Sequence, residues 1–498
     1  MKTIKLKHFA AGLMFLGLLG SCSDDLDRFP HSSIEKSQSF QTIEDAATWN
    51  TGMYALLQNR VYGIFMYSTD IQADQLNATV DFGNRNGAIH RWDNFLADDY
   101  TIRDTWAAYY SGIANANVAI EGMAGIVTED AADQAELDRY IAEAHLVRAF
   151  YYHQLVTRWA KDYDPSTAAS DPGVPLLLEF DIDNFPPRST VEEVYQQILA
   201  DIAIAKTGLA GVAGTPGAMY FNEDVVTALE ARVKFYMEDW AGAKAAADKL
   251  IKSGKYPLYT TVEGLESMWY EDAAQEDILQ LFASQPLELA NANVVYLGYN
   301  AGIDKYSPDF VPTQWMLDLY AEGDHRRDVY FDEKPLYLGG ADYPDVTLVN
   351  KYPGNPELFT SASTNYQHAP KVFRIAEMYL ISAESAAMLN DDSALTTLNA
   401  LRTARGLEEV SVSGDALLAE IKEERTRELA YEGFRLDDLK RWDEGLHART
   451  PQDDSFLMTG PNFIGLTQPA GANKFVWGIP QNDITINPNL AGNQNPGW

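Results

Sequence analysis

Residues Arg139–Trp159 read RYIAEAHLVRAFYYHQLVTRW, and their spacing decides the class of the fold. Tyr140, Ala144, Val147, Tyr151 and Leu155 recur at intervals of four, three, four and four, which lays one apolar stripe along a helix. Comparable stripes run through roughly 40–58, 100–123, 190–208, 222–237, 239–252, 309–321, 371–389, 391–404 and 415–443. Strand signals are few and short: Val174–Leu178, Ile278–Ala283 and Phe475–Ile479. The expected class is mainly α.

Several of these helices pair. Ala228-Leu229-Glu230-Ala231 leads to Tyr236, then to Asp239-Trp240, Ala243 and Ala246, with Tyr256-Pro257 after the second helix. Small residues let paired helices approach and aromatics fill the gaps, which is the logic of a tetratricopeptide repeat. Ala376–Leu389 followed by Asp391–Arg405 repeats the theme, and Tyr140–Tyr152 supplies another first-helix face. A generic stack of α-hairpins satisfies the same spacing. Two stretches break the rhythm, Tyr62–Phe95 and about Tyr256–Tyr366, both rich in Gly, Asn and aromatics. Irregular segments on a rigid scaffold are where binding residues concentrate. The expected division is a leader over 1–21, an N-terminal region over 22–215 and a C-terminal region over 216–498. The last carries a loop-rich insertion over about 256–366, and the whole forms one structural unit.

The chain opens MKTIKLKHFAAGLMFLGLLGSC. Lys2, Lys5 and Lys7 precede an apolar run, Phe9–Gly20, which is shorter than the ~20 residues a permanent membrane helix needs. Leu19-Gly20-Ser21-Cys22 then resembles a lipobox, so lipidation at Cys22 is expected. Because Cys22 is the only cysteine, an intrachain disulfide framework and a Cys-based zinc site are excluded. Two acyl chains anchor stably where one is marginal. Ser23-Asp24-Asp25 fits an acidic tag for the outer face of the cell, or a plain solvated linker. The net charge of −34 moves nearer −37 once the three leader lysines are lost, and such a surface repels nucleic acid.

Catalytic signatures are missing: no Walker-type phosphate loop, no dinucleotide-binding Gly pattern, no His-Glu-x-x-His and no Gly-x-Ser-x-Gly. Ser33-Ile34-Glu35-Lys36 matches Ser-x-x-Lys by chance, in the tether. His145 and His153 align on one helix but read as core or surface histidines. Carboxylate pairs such as Asp98-Asp99 and Asp437-Asp438 are unremarkable in so acidic a chain. Asp181-Ile182-Asp183-Asn184 lacks the Gly and terminal Glu of a calcium loop. No cofactor, metal or catalytic residue is assigned. The densest charged run is Glu423–Trp442, EERTRELAYEGFRLDDLKRW. On a continuous helix Arg425, Glu428, Glu432 and Arg435 share a face, so Arg425 should meet Glu428 and Glu432 should meet Arg435, with Gly433 loosening the turn. That run reads as structural rather than catalytic.

The same run closely resembles the signature of the SusD/RagB family. Other blocks agree in order: Glu143-Ala144 with Arg148–Tyr152, Gly173-Val174-Pro175-Leu176, Pro187-Arg188-Ser189-Thr190 before Val194-Tyr195, and the repeat over Ala228–Tyr256. Phe373–Leu380 with Ala383-Glu384, then Ile479-Pro480, Asn487-Pro488 and Asn495-Pro496-Gly497-Trp498 complete them. The resemblance implies a lipid-anchored, non-enzymatic protein on the outer face of the outer membrane. It would capture oligosaccharide and pass it to a SusC-like TonB-dependent transporter, closing over it as a lid. Peptide capture of the RagB type is the alternative, and a surface glycoside hydrolase a more distant one. Sugar sites combine exposed aromatics with Asn, Asp and Arg. The expected ligand contacts are therefore Asn84, Arg91, Trp92 and Asn94 from the first irregular stretch, with Tyr296, Tyr299, Asn300 and Tyr306 from the second.

Overall fold

A computed structural model describes residues 39–93 and 95–498. Cys22, its leader, the Ser33–Lys36 string and Asn94 lie outside the described residues. Sixteen α-helices run through the described residues. The first six are α1 (Ile43–Gln58), α2 (Ile64–Gln72), α3 (Gly87–Arg91), α4 (Tyr100–Met123), α5 (Ala131–Trp159) and α6 (Val191–Gly208). Local chemistry sets their starts. Thr42 and Thr190 each close a capping box, with Asp45 and Glu193 respectively, and Asp130 accepts two backbone N–H groups at the head of α5. α5 is buried along most of its second half and packs against both α4 and α6.

α7 (Glu223–Tyr236) and α8 (Trp240–Ser253) form the first repeat-like pair, joined by a tight turn in which Glu238 adopts φ +57°. Fully buried Ala228, Ala231, Ala243 and Ala247 are what lets such helices close on one another. After α9 (Val262–Tyr270), α10 (Gln314–Asp318) and α11 (His325–Tyr330), the second pair follows as α12 (Ile375–Met388) and α13 (Ser393–Ala404). α12 lies on α8, and α14 (Asp415–Glu428) on α12. α15 (Arg435–Arg441) and α16 (Gln481–Ile486) end the series. The helical scaffold is the mainly α, tetratricopeptide-like class expected.

The strands are short. β1 (Leu76–Ala78) pairs antiparallel with β7 (Phe310–Pro312), β2 (Pro172–Pro175) with β3 (Arg188–Thr190), and β4 (Asp277–Gln280) with β10 (Lys371–Arg374). β5 (Tyr299–Asn300), β6 (Lys305–Tyr306), β8 (Phe331–Leu338) and β9 (Ala341–Val349) make one four-stranded sheet in that order.

Four expectations are corrected. The stripe over 309–321 is a helix only at Gln314–Asp318, because Pro308 and Pro312 exclude helix before it and Phe310–Pro312 is recruited by β1. Phe475–Ile479 is no strand: the Trp477 N–H donates to the Arg158 carbonyl, and Asn495 donates to the Trp477 carbonyl, so no ladder is needed. The irregular stretches are less irregular than they read, since α2 lies in the first and the β8–β9 hairpin in the second. The run over 415–443 breaks after Glu428, with Tyr431 at φ +61° and Gly433 at φ +81°.

That break rewires every expected ion pair. Glu428 accepts from Arg405 twice at 2.9 Å, from Arg374 at 3.0 Å and from Arg326 at 3.1 Å. Burial would raise its carboxyl, yet the three guanidiniums hold it well below the usual range. Glu432 takes Arg374 at 2.6 Å and Lys351 at 2.7 Å, Arg425 holds Asp438 at 2.8 Å, and Arg435 reaches Asp74 at 2.9 Å. The run is scaffold, as expected, but apart from Asp438 these partners come from five other segments.

Candidate functional site

β1 and β7 bring the two loop-rich segments together. The Thr79 N–H donates to the Asp309 carbonyl at 3.0 Å, Arg85 pairs with Asp309, and the Asp81 carboxylate accepts the Gly339 N–H at 3.0 Å. The loop over 79–86 is thereby laid against the turn of the β8–β9 hairpin. Phe82 packs between Phe310 and Phe463, each 6.0 Å away between ring centres, and anchors that arrangement.

On the four-stranded sheet, Tyr299 and Tyr306 are directly opposed across β5 and β6 with ring centres 5.0 Å apart. Both rings are half-buried. Lys334, on the neighbouring strand, sits 5.7 Å over the Tyr306 ring and so shares that face. Lys305 and Tyr337 meet on the opposite face at 6.0 Å. The tyrosines are held from behind and at the rim. The Tyr366 hydroxyl accepts the Tyr299 N–H at 2.5 Å, while the Tyr299 hydroxyl donates to Asp304 at 2.8 Å. Asn300, exposed, accepts the Gly302 N–H at 3.0 Å and turns the chain from β5 to β6. Two aromatic faces edged by a carboxylate, an amide and an ammonium can stack on an apolar sugar face and hydrogen-bond its hydroxyls.

Two family models match the chain, one described as the SusD family over residues 346–498, the other as starch-binding, associating with outer membrane, over 24–234. The chain belongs to the SusD family. Among relatives of this SusD-family protein, SusD-like protein P38 of Formosa agariphila is 26% identical, with 97% of each chain covered. SusD-like protein P25 of the same organism is 22% identical, covering 89% of this chain and 90% of the relative. A SusD superfamily protein from Bacteroides thetaiotaomicron superposes with a TM-score of 0.75 at 25% identity, covering 91% of this chain and 100% of its own. A SusD-like carbohydrate binding protein from Bacteroides vulgatus shares the fold, with a TM-score of 0.68 at 20% identity over 91% of this chain and 98% of its own.

The expected contact residues of this SusD-family chain fall into three groups. Tyr299, Asn300 and Tyr306 lie together on the sheet just described. Arg91 and Asn84 form a second, exposed cluster: the Arg91 guanidinium donates to the Asn84 side chain at 2.6 Å and lies 5.7 Å over the Phe463 ring. Tyr296 and Trp92 are turned inward. Tyr296 is fully buried, stacked on Tyr352 at 6.0 Å, which corrects its placement on the ligand face. The Trp92 indole N–H donates to the Gln72 carbonyl at 2.7 Å and its ring packs on Phe475 at 5.0 Å, so most of it belongs to the scaffold.

Tyr366 and Lys334 were not among the expected residues. A signal for Lys334 existed: Gly339-Gly340 between two polar–apolar runs marks a two-residue hairpin and would have placed it on a strand. Among the described residues no helix is long and apolar enough to cross a membrane.

Proposed function

We propose that this protein captures oligosaccharide on the Tyr299–Tyr306 face and hands it to a SusC-like TonB-dependent transporter, without chemical change to the sugar. Cys22 would carry the lipid that holds it on the outer face of the outer membrane. The observation that carries the reading is the pair of half-buried tyrosine rings 5.0 Å apart, rimmed by Asp304 and Asn300. Family membership supports it, as do the starch-binding description of the matched model and the carbohydrate-binding relative of the same fold. Arg91 and Asn84 would serve as secondary contacts on their own exposed cluster.

The test is calorimetric titration of the mature protein with neutral oligosaccharides of several linkages and with peptides. Saturable glycan binding is expected, weakened at least tenfold by Tyr299→Ala with Tyr306→Ala, which corresponds to about 1.4 kcal/mol or more. Binding of peptides but not glycans, release of shorter sugars, or unchanged affinity in the double variant would each sink the assignment. Recovery in detergent together with the transporter is the matching expectation for the partner.

A further inference from the structure

Where α2, α5, α7, α12 and the segment after α14 meet, they enclose a polar cavity of about 80 Å³. A buried water needs roughly 10–15 Å³, so there is room for several waters or for one small polyatomic ion. The wall is charged, and most of its charges are already matched. Arg232 grips Glu377 through two contacts of 2.7 Å, Arg374 holds Glu432, and Lys371 holds Asp272 at 2.8 Å.

Two guanidiniums in that wall hydrogen-bond to no carboxylate among the described residues. Arg158 donates only to the Tyr109 hydroxyl at 3.0 Å and the Phe65 carbonyl at 2.6 Å, and its Nε–H is buried with no acceptor. Arg60 reaches only the Tyr151 and Ser111 hydroxyls, at 3.5 and 3.4 Å. His153 lines the same space, is 3% exposed, and has no partner on either ring nitrogen. Burial and the Arg232, Arg158 and Lys440 charges push its pKa down to about 3, so it presents one N–H as a neutral ring. Asp437, the remaining acid of the wall, is pushed up to about 6 by burial, with Lys440 and Arg158 opposing the rise.

An unpartnered buried polar group costs about 1–3 kcal/mol, so something fills this cavity. Water would satisfy the hydrogen bonds but bring no countercharge to Arg158, which feels Asp437 only through space. An oxyanion does both, and charge-assisted bonds from guanidinium are the strong ones. We propose that the cavity is a binding site for a small oxyanion of the phosphate, sulfate or carboxylate type. Arg158 and His153 hold it from within, and Arg60 on the solvent side. It would tie α5 to the segment that leads into α2.

Soaking crystals of the mature protein in sodium selenate should place an anomalous peak within hydrogen-bond distance of both Arg158 Nε and a His153 ring nitrogen. In solution, sulfate or phosphate should give a saturable rise in Tm that chloride at equal ionic strength does not. His153→Phe keeps the ring contacts with Tyr236 and removes only the N–H, and should weaken that binding at least tenfold. Water density alone in the cavity, or a Tm response equal for sulfate and chloride, overturns the proposal. Unchanged binding in His153→Phe overturns it equally. Should that variant not fold, the selenate map of the unaltered protein decides.

Discussion

Glu428 is one carboxylate facing three buried guanidiniums, those of Arg326, Arg374 and Arg405. Glu428→Ala strands all three with less than their full complement of countercharge. Removing one side of a buried pair costs about 3–5 kcal/mol, so the midpoint of urea unfolding should fall by that equivalent. Asp70 has the opposite problem. It is buried, accepts the Gly433 N–H at 3.0 Å and has no partner on its other oxygen, and burial lifts its pKa to about 8. A carboxyl raised in the folded state contributes stability below its unfolded value near 4 and loses it as pH climbs through 8. Asp70→Asn keeps an acceptor for Gly433 and has nothing to ionise. Its Tm should exceed that of the parent at pH 8–9 and converge on it near pH 4. Neither environment could be read from the sequence. The i,i+3 rule paired Arg425 with Glu428 correctly for a straight helix, but the partners that win are long-range ones, and nothing local announces them.

At the scale of elements, the turn after α14 is what aims those side chains. Gly433 sits at φ +81°, and a Cβ there would meet the Met66 carbonyl oxygen at 3.0 Å and the Met66 Cγ at 3.2 Å. Gly433→Ala should therefore cost about 1–3 kcal/mol from backbone strain, plus the displacement of α2. Gly254→Ala, at φ +64° but in open space, should cost only about 1 kcal/mol. Thermal melts of the two variants separate strain from contact. The long amphipathic helices were legible because each buries one stripe, and a stripe is a local property. The candidate site was legible only in part. Tyr299, Asn300 and Tyr306 were found as aromatics and amides in a loop-rich stretch, but composition cannot say which aromatics turn outward. Tyr296, three residues before Tyr299, points into the core because Tyr352 and Tyr431 wait for it there.

For the molecule as a whole, the connections that matter span the chain. Asp74 holds Arg435, Trp159 packs on Trp477, and Glu276 joins Glu428 in gripping Arg405. Family resemblance located the blocks in order, while the way they interlock is visible only in three dimensions. One consequence concerns digestion. Trypsin must thread an extended Lys or Arg into its specificity pocket, and here Arg326, Arg405, Arg425, Arg449 and Lys351 are wholly enclosed and engaged. Native cleavage should therefore be confined to outlying positions such as Lys161, whose side chain is 61% exposed just past the end of α5. Timed digestion read by mass spectrometry checks this, and early cuts after Arg405 or Arg425 would show that the core opens more readily than its ion pairs allow. The chemistry that makes a basic residue a target in a loose chain makes it a locked door once the chain has folded.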